Sequence, residues 1–273
     1  MNFERLVAVG RSGARQVVPA LTGAERARTM ISGATSVRVG VLNMDHDVPR
    51  HAVAPDGSVL FMAPPDSPAR VFLFAGNLPP QTVDLTVQDV AHVPQADRVR
   101  GSLVLQGTLG PATDDLPGEL RAHLCGPEPT RFDTSSPVLR LVPTRVWLRW
   151  SCELDRPGGS RSIDVPCEEY RAASADPLFD QEMPLLPHLF DDHPDLLRAL
   201  AERADPVLGP VAQARPIVLD RYGIVLRLYV DGTHHDRRIR FRQPAGCGCE
   251  LQHEFNLLTQ SLDTGTPDID LGP

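Results

Sequence analysis

The chain has 273 residues, 41% of them hydrophobic, and its 35 acidic and 27 basic residues give a net charge of -8. This length fits one large domain or two of ordinary size, and the acidic balance argues against a nucleic-acid-binding protein. No apolar run approaches the roughly 20 residues of a membrane helix. Arginines interrupt the N-terminal segment, so no signal peptide is predicted, and the five cysteines are then expected to be free thiols. We predict a cytoplasmic protein that contacts neither membrane nor nucleic acid.

The first part of the chain reads as a series of short strands. Residues 1–21 show little periodicity and are predicted to form an N-terminal arm. A capping box, Thr22-Gly-Ala-Glu25, predicts a helix that ends at Gly33. Alternating or short apolar runs then predict strands, at Val37–Val41, Val48–Ala54, Ser58–Ala63, Gln81–Val90, Val99–Leu109, Val138–Val142 and Arg145–Glu153. With only a short helix at Leu116–Leu124 and a turn at Asp155–Gly159, this pattern favours an antiparallel barrel over residues 22–173.

Residues 174–273 are predicted to form a second, helix-sheet-helix domain. Asp176-Pro177 is typical of a helix start, and Pro184 and Pro187 are expected to interrupt that helix. A new helix is predicted to begin at Asp192-His193-Pro194. Three strands and a closing helix follow, at Ile217–Asp220, Ile224–Val230, Arg237–Arg242 and Glu250–Leu262, with Asp231–Asp236 as a turn. The fold class predicted for the whole chain is α+β.

A stretch rich in histidine and carboxylate opens the second helix of this domain. It runs His188-Leu-Phe-Asp-Asp-His193-Pro-Asp195. Two interpretations fit: the histidines converge on one site, or each caps a helix or bonds a neighbouring carboxylate. The spacing of two histidines on one helix that marks metalloproteases is absent.

Two arginine-containing stretches each have two interpretations. Arg50 and His51 precede a tight turn, where they reach a pocket or lie on the outer face of a strand. Arg238, Arg240 and Arg242 alternate with apolar residues on one strand. They line either a solvated sheet face or an anion or partner site. The second interpretation rests on the ability of guanidinium groups to bind carboxylates through two hydrogen bonds.

The sequence Cys247-Gly-Cys249, followed by His253, resembles part of a metal site. A structural zinc site needs four ligands, usually in spaced pairs, and no second cysteine pair exists. The pattern therefore favours free cysteines at a helix entry, and no metal site is predicted.

Several elements of the second half, taken in order, resemble a known C-terminal module. They are Glu169-Tyr-Arg-Ala-Ala173, Asp176-Pro-Leu178, Glu182, His188-Leu189, Asp192-His193, Asp195 and Asp220-Arg-Tyr-Gly223. This module accompanies heme-iron-utilisation proteins of the HugZ type and also occurs in the plastid glutamyl-tRNA reductase-binding protein.

The first half is similar, more faintly, to the pyridoxamine-phosphate-oxidase-like, FMN-binding split barrel that such modules accompany. The matching segments are Arg50–Met62, Val99–Gly107 and Leu141–Val146. The resemblance implies a split barrel that pairs into a homodimer with ligand sites between subunits. In flavin-using members a strand arginine, here Arg50, works with a later cation on the FMN phosphate. The segment Ala63–Ala69 supplies none before Arg70, which argues against FMN.

The leading hypothesis is a dimeric split-barrel protein that binds heme, or a related tetrapyrrole, in heme-iron utilisation. Heme needs an apolar slot, a neutral imidazole for the iron and cations for the propionates. The imidazoles proposed are His51, His188 and His193, and the cations are Arg50 and Arg240. No catalytic residue is assigned, and enzyme and carrier both remain open.

Two alternatives belong to other classes. One is a non-catalytic regulatory or adaptor protein that docks a partner through Arg238, Arg240 and Arg242. The other, less favoured, is a flavin-dependent oxidoreductase.

Overall fold

The computed structural model describes residues 20–41, 44–62, 67, 69, 82–95, 97–112, 116–126, 137–153, 159–206, 211 and 213–264. Three predictions lie wholly or mainly outside these residues: the N-terminal arm, the missing phosphate cation in the segment 63–70, and the turn at Asp155–Gly159. None of the helices in the described part of the chain is long and apolar enough to cross a membrane.

The first part of the chain forms an antiparallel sheet of eight described strands. They are β1 (Val37–Val41), β2 (Met44–Val48), β3 (His51–Val53), β4 (Val59–Met62), β5 (Thr82–Val90), β6 (Val99–Pro111), β7 (Val138–Trp150) and β8 (Arg161–Val165). The order is β2-β1-β5-β6-β7-β4-β3, and β8 pairs with β7. Apolar alternation positions these strands: on β5, Val83, Leu85 and Val87 are buried and the residues between them face outward or are half-buried.

A separate antiparallel sheet of three strands lies in the second part. It consists of β9 (Gln213–Asp220), β10 (Gly223–Val230) and β11 (Thr233–Arg240), in the order β11-β10-β9. The helices of the described residues are α1 (Gly23–Gly33), α2 (Gly118–Cys125), α3 (Cys167–Ala172), α4 (Phe179–Asp192), α5 (Pro194–Ala204) and α6 (Gly248–Thr264). The capping box predicted at Thr22 and Glu25 is present in both directions.

The turn between β10 and β11 is shorter than predicted. Asp231 and Gly232 both have positive φ, at 47° and 78°, and Val230 pairs directly with Thr233. An Asp-Gly pair supplies the two positive φ angles that a two-residue hairpin needs. His234, His235 and Asp236 therefore lie on a strand and not in a loop.

Strand β7 is continuous, whereas the sequence predicted two strands separated near Pro143. The register against β6 shifts at this point: Gln106 pairs with Arg145, but Gly107 pairs with Pro143. Thr144 is thus the extra residue of a bulge, which accommodates a proline that cannot donate to the ladder.

The prediction that Pro184 and Pro187 interrupt a helix is wrong. Helix α4 runs unbroken from Phe179 to Asp192 with both prolines inside it. Each proline removes one backbone donor, but Leu186 and Leu189 are buried and bind the helix to the core. Tertiary packing therefore outweighs the local preference.

The two sheets share part of one core. Ile217, Val218 and Val225 of the small sheet belong to the same buried cluster as Ala27 and Ile31 of α1. A second cluster fills the space between the small sheet and helices α4, α5 and α6. The boundary near residue 173 remains a prediction.

Candidate functional site: a histidine pair beside a helical groove

The two histidines of the predicted stretch converge. His188 Nε2 and His193 Nε2 lie 3.3 Å apart, and the two rings meet edge to face with centroids 4.9 Å apart. His188 Nδ1 lies 2.7 Å from Asp192 Oδ2. A carboxylate only accepts, so Nδ1 carries the proton of the neutral ring and Nε2 keeps its lone pair.

Local sequence explains this geometry. His188 and Asp192 are four residues apart on α4 and so share one face of the helix. His193 is the C-cap residue of α4, and it directly precedes Pro194, the first residue of α5. A proline at the first position of a helix costs no hydrogen bond. The corner between the helices brings His193 back against His188.

Both histidines line a groove of about 400 Å³ that runs between α4 and α6. Its apolar walls include Leu185, Leu189, Leu196, Leu251 and Phe255. Amide and hydroxyl groups of Gln181, Gln252, Asn256 and Thr259 line it as well. The arrangement offers an imidazole lone pair beside an apolar slot, which suits a flat, largely apolar ligand with a metal at its centre.

The structure does not bring the third predicted histidine to this groove. His51 is 8% exposed on β3, and its Nε2 lies 2.6 Å from the Ile31 carbonyl oxygen of α1. Burial lowers the pKa of His51. Its ring therefore joins α1 to the sheet as a neutral donor.

The two predicted propionate cations also lie elsewhere. Arg50 packs its guanidinium against Gly126, where an added Cβ would lie 2.5 Å from Arg50 Nε. Arg240 is half-buried on β11 opposite Gly223. Neither residue belongs to the groove lining.

The predicted arginine face is only partly open. Arg238 donates to Glu153 at 2.6 Å and to both oxygens of Asp220 at 2.7 and 2.8 Å, and its side chain is 6% exposed. Burial alone would lower the pKa of Arg238, but attraction to Glu153 and Asp220 outweighs it and raises that pKa. Arg238 is thus part of a buried ion cluster, and Arg242 is the exposed member of the three.

A second cavity, of about 340 Å³, lies where α1, β5, α4 and β9 meet. His92 is half-buried in it, with Nε2 3.7 Å from Glu182 Oε2. Burial lowers the pKa of His92. The carboxylates and guanidiniums in this cavity largely neutralise one another, as Arg100 does with Glu182 and Asp89. Sequence analysis missed His92 because its partner is distant in the chain.

Comparisons with known proteins address the fold. No protein-family model matches the sequence, and no curated protein matches it. The structure is similar to a heme binding protein from Mycobacterium smegmatis, with a TM-score of 0.59 and 20% identity over 90% of this chain and 100% of that one.

Two weaker similarities cover about half of this chain. An FAD binding protein from Mycobacterium smegmatis is 14% identical over 52% of this chain and 97% of its own, with a TM-score of 0.31. A pyridoxamine 5'-phosphate oxidase-related, FMN binding protein from Nostoc punctiforme is 11% identical over 51% and 91%, with a TM-score of 0.27. The predicted fold class is confirmed: the chain is α+β, with an antiparallel split-barrel sheet and a separate three-stranded sheet.

Proposed function

We propose that the protein binds heme, or a related tetrapyrrole, in the groove between α4 and α6, with His188 as the iron ligand. The hydrogen bond between His188 and Asp192 carries this proposal. A carboxylate on the far nitrogen of a ligating imidazole fixes its tautomer and raises its basicity. His193 occupies the ligand position of His188 Nε2 in this structure, and its exposed ring is free to turn away.

The groove fits most of what heme requires. Its volume is within the 300–1,000 Å³ typical of small-molecule sites, and leucine and phenylalanine side chains form its walls. Its described lining contains no arginine, so the propionates are expected to face water or the amides of Gln252 and Asn256. Bound heme would supply the redox-active iron, and the residues of this chain would ligate it and shield one face.

The similarity to a heme binding protein over most of the chain makes heme the first ligand to test. The ordered motifs that resemble those of HugZ-type proteins support the same class of function. They also imply a homodimer, which we propose as the assembly. A mass in solution twice the 29.8 kDa of the chain would agree with it.

Hemin titration tests the proposal. The wild-type protein is expected to show a saturating Soret shift at one heme per chain, and His188→Ala is expected to lose it. His193→Ala should bind at least as well, because it removes the competing contact. His253→Ala, on an exposed face of α6, is the matched control, and His51→Ala and His92→Ala test two imidazoles that lie outside the groove lining. A shift that does not saturate, or that is equal in His188→Ala, would overturn the proposal.

A further inference from the structure

Two thiols meet at the start of α6. Cys247 Sγ and Cys249 Sγ lie 2.6 Å apart, and both cysteines are free. Cys247 is half-buried and Cys249 is exposed. The sulfur atoms of a disulfide lie about 2.05 Å apart, only a little closer than the 2.6 Å that separates these two. A bond between the two sulfurs therefore needs little movement of the chain.

Cys247 occupies the capping position of this helix. Its carbonyl accepts from Leu251 N at 2.9 Å, and its sulfur accepts from Glu250 N at 3.5 Å. Glu250 in turn accepts from Gly246 N at 2.6 Å. The Cys247 sulfur thus lies at the positive end of the α6 dipole, where a thiolate is stabilised.

The thiols are inequivalent as acids. A hydrogen bond from Cys249 and then the Glu250 backbone N–H lower the pKa of Cys247, whereas the interaction with Cys247 raises the pKa of Cys249. An accessible thiol whose pKa is lowered, beside a second thiol, is the arrangement of reversible redox sites. Cys247 is therefore the expected attacking sulfur and Cys249 the resolving one.

We propose that Cys247 and Cys249 form a dithiol–disulfide exchange site that takes low-molecular-weight disulfides as substrates. The Cys247 thiolate, having released its proton to water, attacks one sulfur of the disulfide, forms a mixed disulfide and expels one thiolate, which takes up a proton from water. Cys249 then attacks the Cys247 sulfur, and its proton goes to the second departing thiolate. The substrate disulfide is reduced to two thiols, and the protein gains one Cys247–Cys249 disulfide.

Cys152 and Cys167 lack this arrangement. Cys152 is 1% exposed, and burial raises its pKa to about 12. Cys167 also begins a helix, α3, but contacts no second thiol among the described residues. It is the matched control for a thiol at a helix start without a resolving partner.

The sequence makes the test direct. No lysine or arginine lies between residues 243 and 273, so trypsin leaves both thiols in one peptide that begins at Gln243. The full-length protein is incubated with oxidised glutathione, quenched with acid, alkylated and digested, and this peptide is followed by mass spectrometry over time. The wild type and the variants Cys247→Ser, Cys249→Ser and Cys167→Ser are compared.

Wild type and Cys167→Ser are expected to yield a peptide lighter by two hydrogen atoms that resists alkylation. Cys249→Ser should stop at a glutathione adduct on Cys247. Cys247→Ser should react roughly tenfold more slowly, because the capped thiolate is gone. The proposal is overturned if the wild type accumulates only adducts, or if the two serine variants at 247 and 249 react equally fast. Unchanged far-ultraviolet circular dichroism separates these results from misfolding, and no outcome depends on heme binding.

Discussion

Arg100 and Glu182 form a two-point ion pair between β6 and α4, with Nη1–Oε1 and Nη2–Oε2 distances of 2.6 and 2.9 Å. Arg100 also donates to Asp89 at 2.6 Å and to the Ile217 carbonyl at 2.6 Å. Burial alone would lower the pKa of Arg100, but attraction to Glu182 and Asp89 holds it well above its usual value. One buried guanidinium thus joins the barrel sheet, α4 and the small sheet.

Removal of one member of this pair should be strongly destabilising. Glu182→Leu leaves Arg100, which is 4% exposed, without its main counter-charge. We expect the free energy of unfolding in urea to fall by about 3–5 kcal/mol. The control is Asp195→Leu at the exposed Asp195–Arg198 pair, which should cost at most about 1 kcal/mol. Equal losses in the two variants would contradict the importance given to the buried pair.

The Glu153 carboxylate should make stability fall in acid. Burial alone would raise the pKa of Glu153, but attraction and a hydrogen bond from Arg238, with help from Arg26, lower it below 4.5. The unfolded chain then takes up this proton first, so the contribution is present above about pH 4.5 and is lost as the pH falls through the folded pKa.

The measurement is urea unfolding of the wild type and Glu153→Gln across that acid range. Glu153→Gln should be less stable than the wild type at neutral pH, and its free energy of unfolding should fall less than that of the wild type on acidification. Glu202→Gln, at an exposed position on α5, should follow the wild-type slope. If the free energy of unfolding of Glu153→Gln fell with pH as steeply as that of the wild type, the result would argue against a lowered pKa of Glu153.

Asp192 should act on the heme site through His188. Asp192→Asn replaces the charged acceptor at 2.7 Å with an amide, which weakens the basicity and the orientation of the imidazole. We expect hemin affinity to fall roughly tenfold or more, with the Soret band and the reduction potential both shifted. Asp195→Asn, which removes a nearby carboxylate paired with Arg198, should leave all three quantities unchanged. An Asp192→Asn protein with wild-type affinity and spectrum would remove Asp192 from the site.

Pro187 should make α4 less stable than an alanine at the same position would. Pro187→Ala restores a backbone N–H that can donate to the Met183 carbonyl one turn earlier, because the helix is continuous there. The free energy of unfolding is expected to rise by about 1–3 kcal/mol. Pro194→Ala, at the first position of α5, should give no such gain. Thermal and urea unfolding of the two variants measure these changes in stability. Destabilisation by Pro187→Ala would show that the packing contacts of the proline ring outweigh the backbone hydrogen bond that it removes.

Short-range patterns predicted much of the fold. The capping box at Thr22, the strand alternation and the contact of a histidine with a neighbouring carboxylate all involve residues within a few positions of each other. Arg100 and Glu182 are 82 positions apart, and no local period reports such a pair. The same limit explains Arg238: alternation placed it on one face of β11, but only the folded chain shows that Glu153 and Asp220 cover it.

The shared core also limits how this architecture can change. Ile217 and Val218 of the small sheet are 0% and 3% exposed in the cluster that holds Ile31 of α1. A larger side chain at one of these positions must be matched by a smaller one on the opposite element. The two parts of the chain are therefore expected to vary together in evolution, and a graft of either onto a foreign partner would need its contact surface redesigned.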